Sequence, residues 1–110
     1  MSNNEQTPFD TVLAATIVGK IILVGLTYLS YDGKLLRRQQ LHGKIKSASP
    51  AGILIELAGA SAGETWNMPP ALDLIRKADP GIYSLKESGE QVENPDFICT
   101  WTITKPGPTN

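Results

Sequence analysis

KIILVGLTYLSYDGKLLRRQQLHGKIKS, residues 20–47, decides the fold. Lys20 to Tyr31 is rich in β-branched and aromatic residues and is apolar on both alternating faces, the pattern of a strand covered on both sides. Gly25 in its middle predicts a bulge or sharp bend. Asp32-Gly33 follows. Glycine accepts positive φ and aspartate tolerates it better than most, so the pair predicts a type I′ hairpin turn. The strand from Lys34 to Ser47 then returns antiparallel to the first.

Alternation divides the returning strand. Leu35, Arg37, Gln39, Leu41, Gly43 and Ile45 share one side; Leu36, Arg38, Gln40, His42, Lys44 and Lys46 share the other. The second side is almost wholly polar, so the cations between 34 and 46 follow first from one face being wet.

Working outward, Phe9, Val12, Leu13 and Ile17 recur at helical spacing after Thr7-Pro8 and predict a short N-terminal helix over 9–18. Its β-branched residues make a strand the competitor. Ser49-Pro50-Ala51-Gly52 is a turn, and Gly52 to Ala58 is a strand with Ile53, Ile55 and Leu57 inward. GASAG, 59–63, is a loop, and ETWNM, 64–68, a short strand stopped by Pro69-Pro70. Ala71 to Ala78 predicts one or two helical turns, with Leu72 and Ile75 inward. IYSLKESGEQVE, 82–93, forms a second hairpin around Ser88-Gly89. Asn94-Pro95-Asp96 turns into FICTWTIT, 97–104, which alternates cleanly. The polar residues 1–8 and 106–110 are expected as tails, with one domain over 9–105. The fold class expected is mainly β: a small curved antiparallel sheet or SH3-like barrel, with the N-terminal helix and a short helix near 71–78.

Composition narrows the function. With 110 residues, 41% apolar and 19% charged, the chain can bury one core. A net charge of −1 gives no global cationic field for nucleic acid or an anionic membrane. Glu87, Glu90, Glu93 and Asp96 form an opposed acidic block that reads as a solvated edge. The single cysteine, Cys99, cannot close an internal disulfide, which points to a reducing, cytoplasmic setting. Val12 to Leu26 is broken by Lys20 and falls short of the roughly 20 residues of a span. The first ten residues lack the basic start of a secretory signal.

No motif of catalysis or metal binding stands out. A lone His42 lacks a His-Glu-x-x-His or paired-cysteine context, and its spacing supplies neither nucleophile nor orienting carboxylate. It reads as a rim histidine beside Gly43 at a bulge. Cys99 reads as a small buried hydrophobe. GASAGET, 59–65, lacks the lysine of a phosphate loop. No cofactor, metal or enzymatic activity is expected.

The strand order is similar to that of small SH3-like and Sm-like barrels, a likeness of order and length. NPDFICTWTITKP, with QLHG and NMPP, resembles small uncharacterised bacterial single-domain proteins, some encoded near toxin systems. That resemblance implies an immunity-type partner of a toxin. The residues themselves point to a noncatalytic module that contacts another protein or a second copy of itself. Arg38, Gln40, His42 and Lys44 would form its charged rim, with Tyr31 and Trp66 as apolar anchors. The alternative is a nucleic-acid-binding barrel, with Tyr28, Tyr31 and Trp66 as stacking surfaces.

Overall fold

The computed structural model describes residues 9–106. The tails expected at 1–8 and 106–110 therefore lie, Pro106 apart, outside the described residues. The chain is mainly β. One helix, α1 (Thr11–Ile17), precedes eight strands: β1 (Ile21–Leu29), β2 (Leu35–Ser49), β3 (Gly52–Leu57), β4 (Thr65–Met68), β5 (Arg76–Lys77), β6 (Ile82–Ser84), β7 (Gln91–Glu93) and β8 (Phe97–Thr104). Six of these form one sheet in the order β4-β3-β2-β1-β8-β5, and β6 pairs with β7 alone.

The expectation of an antiparallel, barrel-like sheet needs correction on two points. β1 and β8 run parallel, Ile22 opposite Phe97 through Leu29 opposite Thr104, so the sheet is mixed. It is also open, with β4 and β5 as its two ends. Asp96 sets the parallel seam: its N–H donates to the Ile21 carbonyl, and its carboxylate accepts from the Ile21 N–H, both at 2.9 Å.

One face of the sheet carries the core. Ile22, Val24 and Leu26 of β1, Leu41 and Ile45 of β2, Ile53, Ile55 and Leu57 of β3, Met68 and Cys99 are buried together. Ile17 of α1 packs on them, as do Leu72 and Ile75 from the segment after Pro70. Fully burying each isoleucine contributes about 2 kcal/mol. On the opposite face Leu23 meets Leu85 and Val92 of the β6–β7 hairpin, with Tyr83 and Ile98 alongside.

Several local expectations change. α1 begins at Thr11, after Phe9, because the Asp10 carboxylate caps it by accepting from the Leu13 N–H at 2.9 Å; Thr7-Pro8 lies outside the described residues. Its inner face is Ala14 and Ile17; Val12 and Leu13 are exposed. Of the one or two helical turns expected over 71–78, one short 3₁₀ turn forms and the rest is extended. A 3₁₀ turn at Leu72–Leu74 ends at an extended Ile75, and Arg76 and Lys77 pair with β8 as β5. The neighbouring strand edge captures backbone that local propensity leaves undecided. Gly25 sits in regular register opposite Gln40 and Thr100, and the β1–β2 irregularity lies at Tyr28/Leu29. Gly43 is not at a bulge either. A Cβ there would run into the Glu56 carbonyl of β3, so close strand approach explains the glycine.

The Asp32-Gly33 turn forms, but not as type I′. The Gly33 N–H donates to the Ser30 carbonyl and the Ser30 N–H to the Lys34 carbonyl, with Gly33 at φ +90° and no positive φ at Asp32. Tyr31 and Asp32 are thus the centre of the turn, and Gly33 supplies the left-handed residue that rejoins the strands.

Candidate functional site

The six residues singled out in the sequence do not converge. Tyr31, 62% exposed, lies in the β1–β2 turn. Arg38, Gln40, His42 and Lys44 share one face of β2, as their spacing requires. Trp66 is opposite Ile55, which is opposite Ile45, and it packs half-buried against the core on the other face. It cannot serve as an anchor for the cationic strand.

Nor is the cationic face uniformly wet. Around His42 it is covered by the β6–β7 hairpin and the 3₁₀ turn Gly59–Ser61, and the exposed Gln40 borders that cover. The Gln40 side-chain oxygen accepts from the Lys86 N–H at 3.2 Å. The His42 side chain is 15% exposed, with Nε2 3.6 Å from Glu90 Oε1. Glu90, assigned above to a solvated edge, is half-buried and pins two elements at once: it accepts from the Ala60 N–H at 2.7 Å and from the Ser88 hydroxyl at 3.0 Å. These bonds, Ser88 first and then Ala60, hold its carboxyl below the usual value. Gly59, at φ +68°, passes close to both groups, and a Cβ there would collide with the Glu90 carboxylate.

His42 thus meets Ser88 and Glu90 in a cleft of about 160 Å³, from a position too far away in sequence to signal them. The chemistry is that of a latch. Ser88 directs its hydroxyl at the carboxylate rather than the imidazole, and His42 Nε2 is buried without a hydrogen-bond partner. A nucleophilic relay would require the hydroxyl on the imidazole. Among the described residues no three His, Cys, Asp or Glu side chains converge as metal ligands. Cys99 is buried, and burial pushes its thiol up, away from the reactive thiolate. No helix among the described residues is long and apolar enough to cross a membrane.

The other end of the β1–β2 pair is different. Lys34, Leu35, Leu36, Arg37 and Arg38 are all exposed, on both faces of the strand. Leu35 is 54% and Leu36 49% exposed. The Arg37 guanidinium lies over the Tyr28 ring, 4.5 Å from its centroid, and the Tyr28 hydroxyl donates to Gln39 at 3.2 Å. Asp32 faces back into the turn: it accepts from the Ser30 hydroxyl, which holds its carboxyl below the usual value, and stands 4.0 Å from Lys34. A groove of about 460 Å³, lined by Arg38, Gln40 and Lys86 and floored by Gly25, runs from this end towards the β6–β7 hairpin. Leu35 and Leu36 were passed over in the sequence because alternation assigned one of them to the interior. No family model matches the chain, and no curated protein or solved structure is significantly similar to it.

Proposed function

We propose that the protein is a noncatalytic binding module that contacts another protein through the projecting end of the β1–β2 pair. One observation carries the reading: Leu35 to Arg38 stay in strand conformation while exposed on both faces, with Leu35, Leu36 and Tyr31 about half or more open to solvent. Apolar side chains interleaved with arginine and tyrosine are the composition from which protein contacts draw most of their affinity. The rim now comprises Tyr31, Leu35, Leu36, Arg37 and Arg38; Gln40 and His42 support the latch, and Trp66 belongs to the core. An immunity-type partner and a reducing cytoplasmic setting extend this reading on the strength of the sequence resemblance and the lone cysteine. The likeness to SH3-like barrels is retained only as an order of elements.

Affinity capture from the native host tests it, with the wild type beside a Leu35→Asp/Leu36→Asp double variant. A protein enriched by the wild type and lost with the variant is expected. Equal capture by both would remove the reading. A parallel titration with mixed RNA and single-stranded DNA at low salt covers the alternative: micromolar binding abolished by charge reversal at Arg38 and Lys44 would replace a protein partner with nucleic acid. The Tyr28 face is already occupied by Arg37, which leaves the projecting end few free stacking surfaces.

A further inference from the structure

Among the described residues, the projecting half of β2 has an edge with no strand beside it. β3 pairs with β2 only from Gly43 to Ser49, whereas β2 begins at Leu35. In an antiparallel strand the N–H and C=O of one residue point to the same edge, and successive residues alternate. The Ile45 N–H donates to the Lys20 carbonyl on the β1 side, and the His42 carbonyl accepts from the Ala58 N–H on the β3 side, both at 2.9 Å. Between the register shift at Leu36 and Lys44, even-numbered residues therefore face away from β1. The backbone groups of Arg38 and Gln40 point outward beyond the end of β3, and among the described residues no backbone group meets them.

Charge distinguishes this edge from the other long one. β8 past Ile98, where β5 ends, reads Cys-Thr-Trp-Thr-Ile-Thr and carries no charge. The β2 edge is flanked by Lys34, Arg37 and Arg38, with Lys86 across the groove, all exposed. Glu87 is the opposing acid, since Asp32 is turned into its own loop. Cations beside an open edge repel a second copy of the same edge, which would bring another Lys34, Arg37 and Arg38 within a Debye length. The same cations attract an acidic strand.

We infer that this edge receives an extended acidic segment of a partner protein, added as a strand beside Leu36–Gln40. The inference rests on the protein-contact reading above and specifies what the partner presents. Main-chain bonds to Arg38 and Gln40 hold the segment, and carboxylates at alternate positions meet Arg38 and Lys86. Ala60 and Ser61, on the wall of the cleft next to Gln40 and His42, mark where it ends.

The probe is a capped peptide alternating Glu and Val, titrated into the full isotope-labelled chain. Two controls accompany it: the same peptide with Lys for Glu, and one with alternate backbone amides N-methylated. Binding of the acidic peptide is expected to slow hydrogen exchange at the Arg38 and Gln40 amides and to leave Arg37 and Gln39, already turned towards β1, unchanged. N-methylation, Arg38→Glu and Lys86→Glu should each weaken it by about tenfold or more. The exposed Lys86→Glu change keeps the charge test available if Arg38→Glu fails to fold. No binding at millimolar peptide, equal binding of the N-methylated form, or protection confined to other strands would overturn strand addition. Should that happen while the Leu35→Asp/Leu36→Asp variant still loses its captured partner, the projecting surface stands and only its mode of contact falls.

Discussion

The root and the tip of the β1–β2 pair are the same two strands under opposite conditions. At the root, Ile22, Val24, Leu41 and Ile45 are sealed beneath α1 and against β3, while Leu23 and His42 lie under the β6–β7 hairpin. At the tip Leu35, Leu36, Arg37 and Arg38 are all exposed, and no other described strand or helix packs over either face. The difference is one of neighbours, not of strand propensity. β3 and the small hairpin stop short of the tip, so stability is concentrated at one end and available surface at the other.

The largest test of that division is at the root. Ile45→Ala removes a fully buried side chain and should cost about 3 kcal/mol in urea unfolding. A cost below about 1 kcal/mol would mean that the root is looser than its burial implies. Next comes the latch. Gly59→Ala adds a Cβ at φ +68° against Glu90 and His42, and a loss of about 2 kcal/mol by the same assay is expected.

Acid should open the latch more gently. Because the Glu90 carboxyl is lowered in the folded state, it binds fewer protons there than when unfolded. Its contribution is therefore present above the ordinary value of 4.5 and fades as pH falls through the lowered one. The stability gap between wild type and Glu90→Gln, measured by urea midpoints, should narrow on acidification below that value. A gap that stays constant would show that the carboxylate's charge is irrelevant to the latch. The smallest effect belongs to the tip: Leu36→Asp should alter stability by no more than about 0.5 kcal/mol, and a cooperative loss larger than this would place Leu36 in a packed interface.

What the sequence disclosed follows the same boundary. Alternation placed Ile53, Ile55, Leu57 and the β2 residues from Leu41 to Ile45 correctly, because those strands have one covered face and a period-two pattern records it. From Leu35 to Arg38 the pattern failed, since a strand bare on both sides has no inside for alternation to report. The antiparallel hairpins were legible from Asp32-Gly33 and Ser88-Gly89, whose local geometry turns the chain. The parallel seam was not, because Asp96 reads as a loop acid until its bonds to Ile21 are seen. Over 71–78 the helical spacing held for a single 3₁₀ turn at Leu72–Leu74, and beyond it the free edge of β8 outweighed it at Arg76 and Lys77. Of the candidate site, Arg38 was singled out on a polar alternating face and Tyr31 as an aromatic beside it, and both are exposed. Glu90 and Ser88 were missed because their partner His42 is brought to them only by the folded sheet.

The parallel pairing of β1 with β8 also imposes an order of assembly. β1 through β4 follow one another by short turns and can associate early, but the strand that completes the other side of β1 is separated from it by most of the chain. Closing so long a loop is slow, and until it closes Leu23, Gly25 and Thr27 present an unsatisfied backbone edge. On this topology the interval before β8 docks is the period in which the nascent chain is most prone to aggregate.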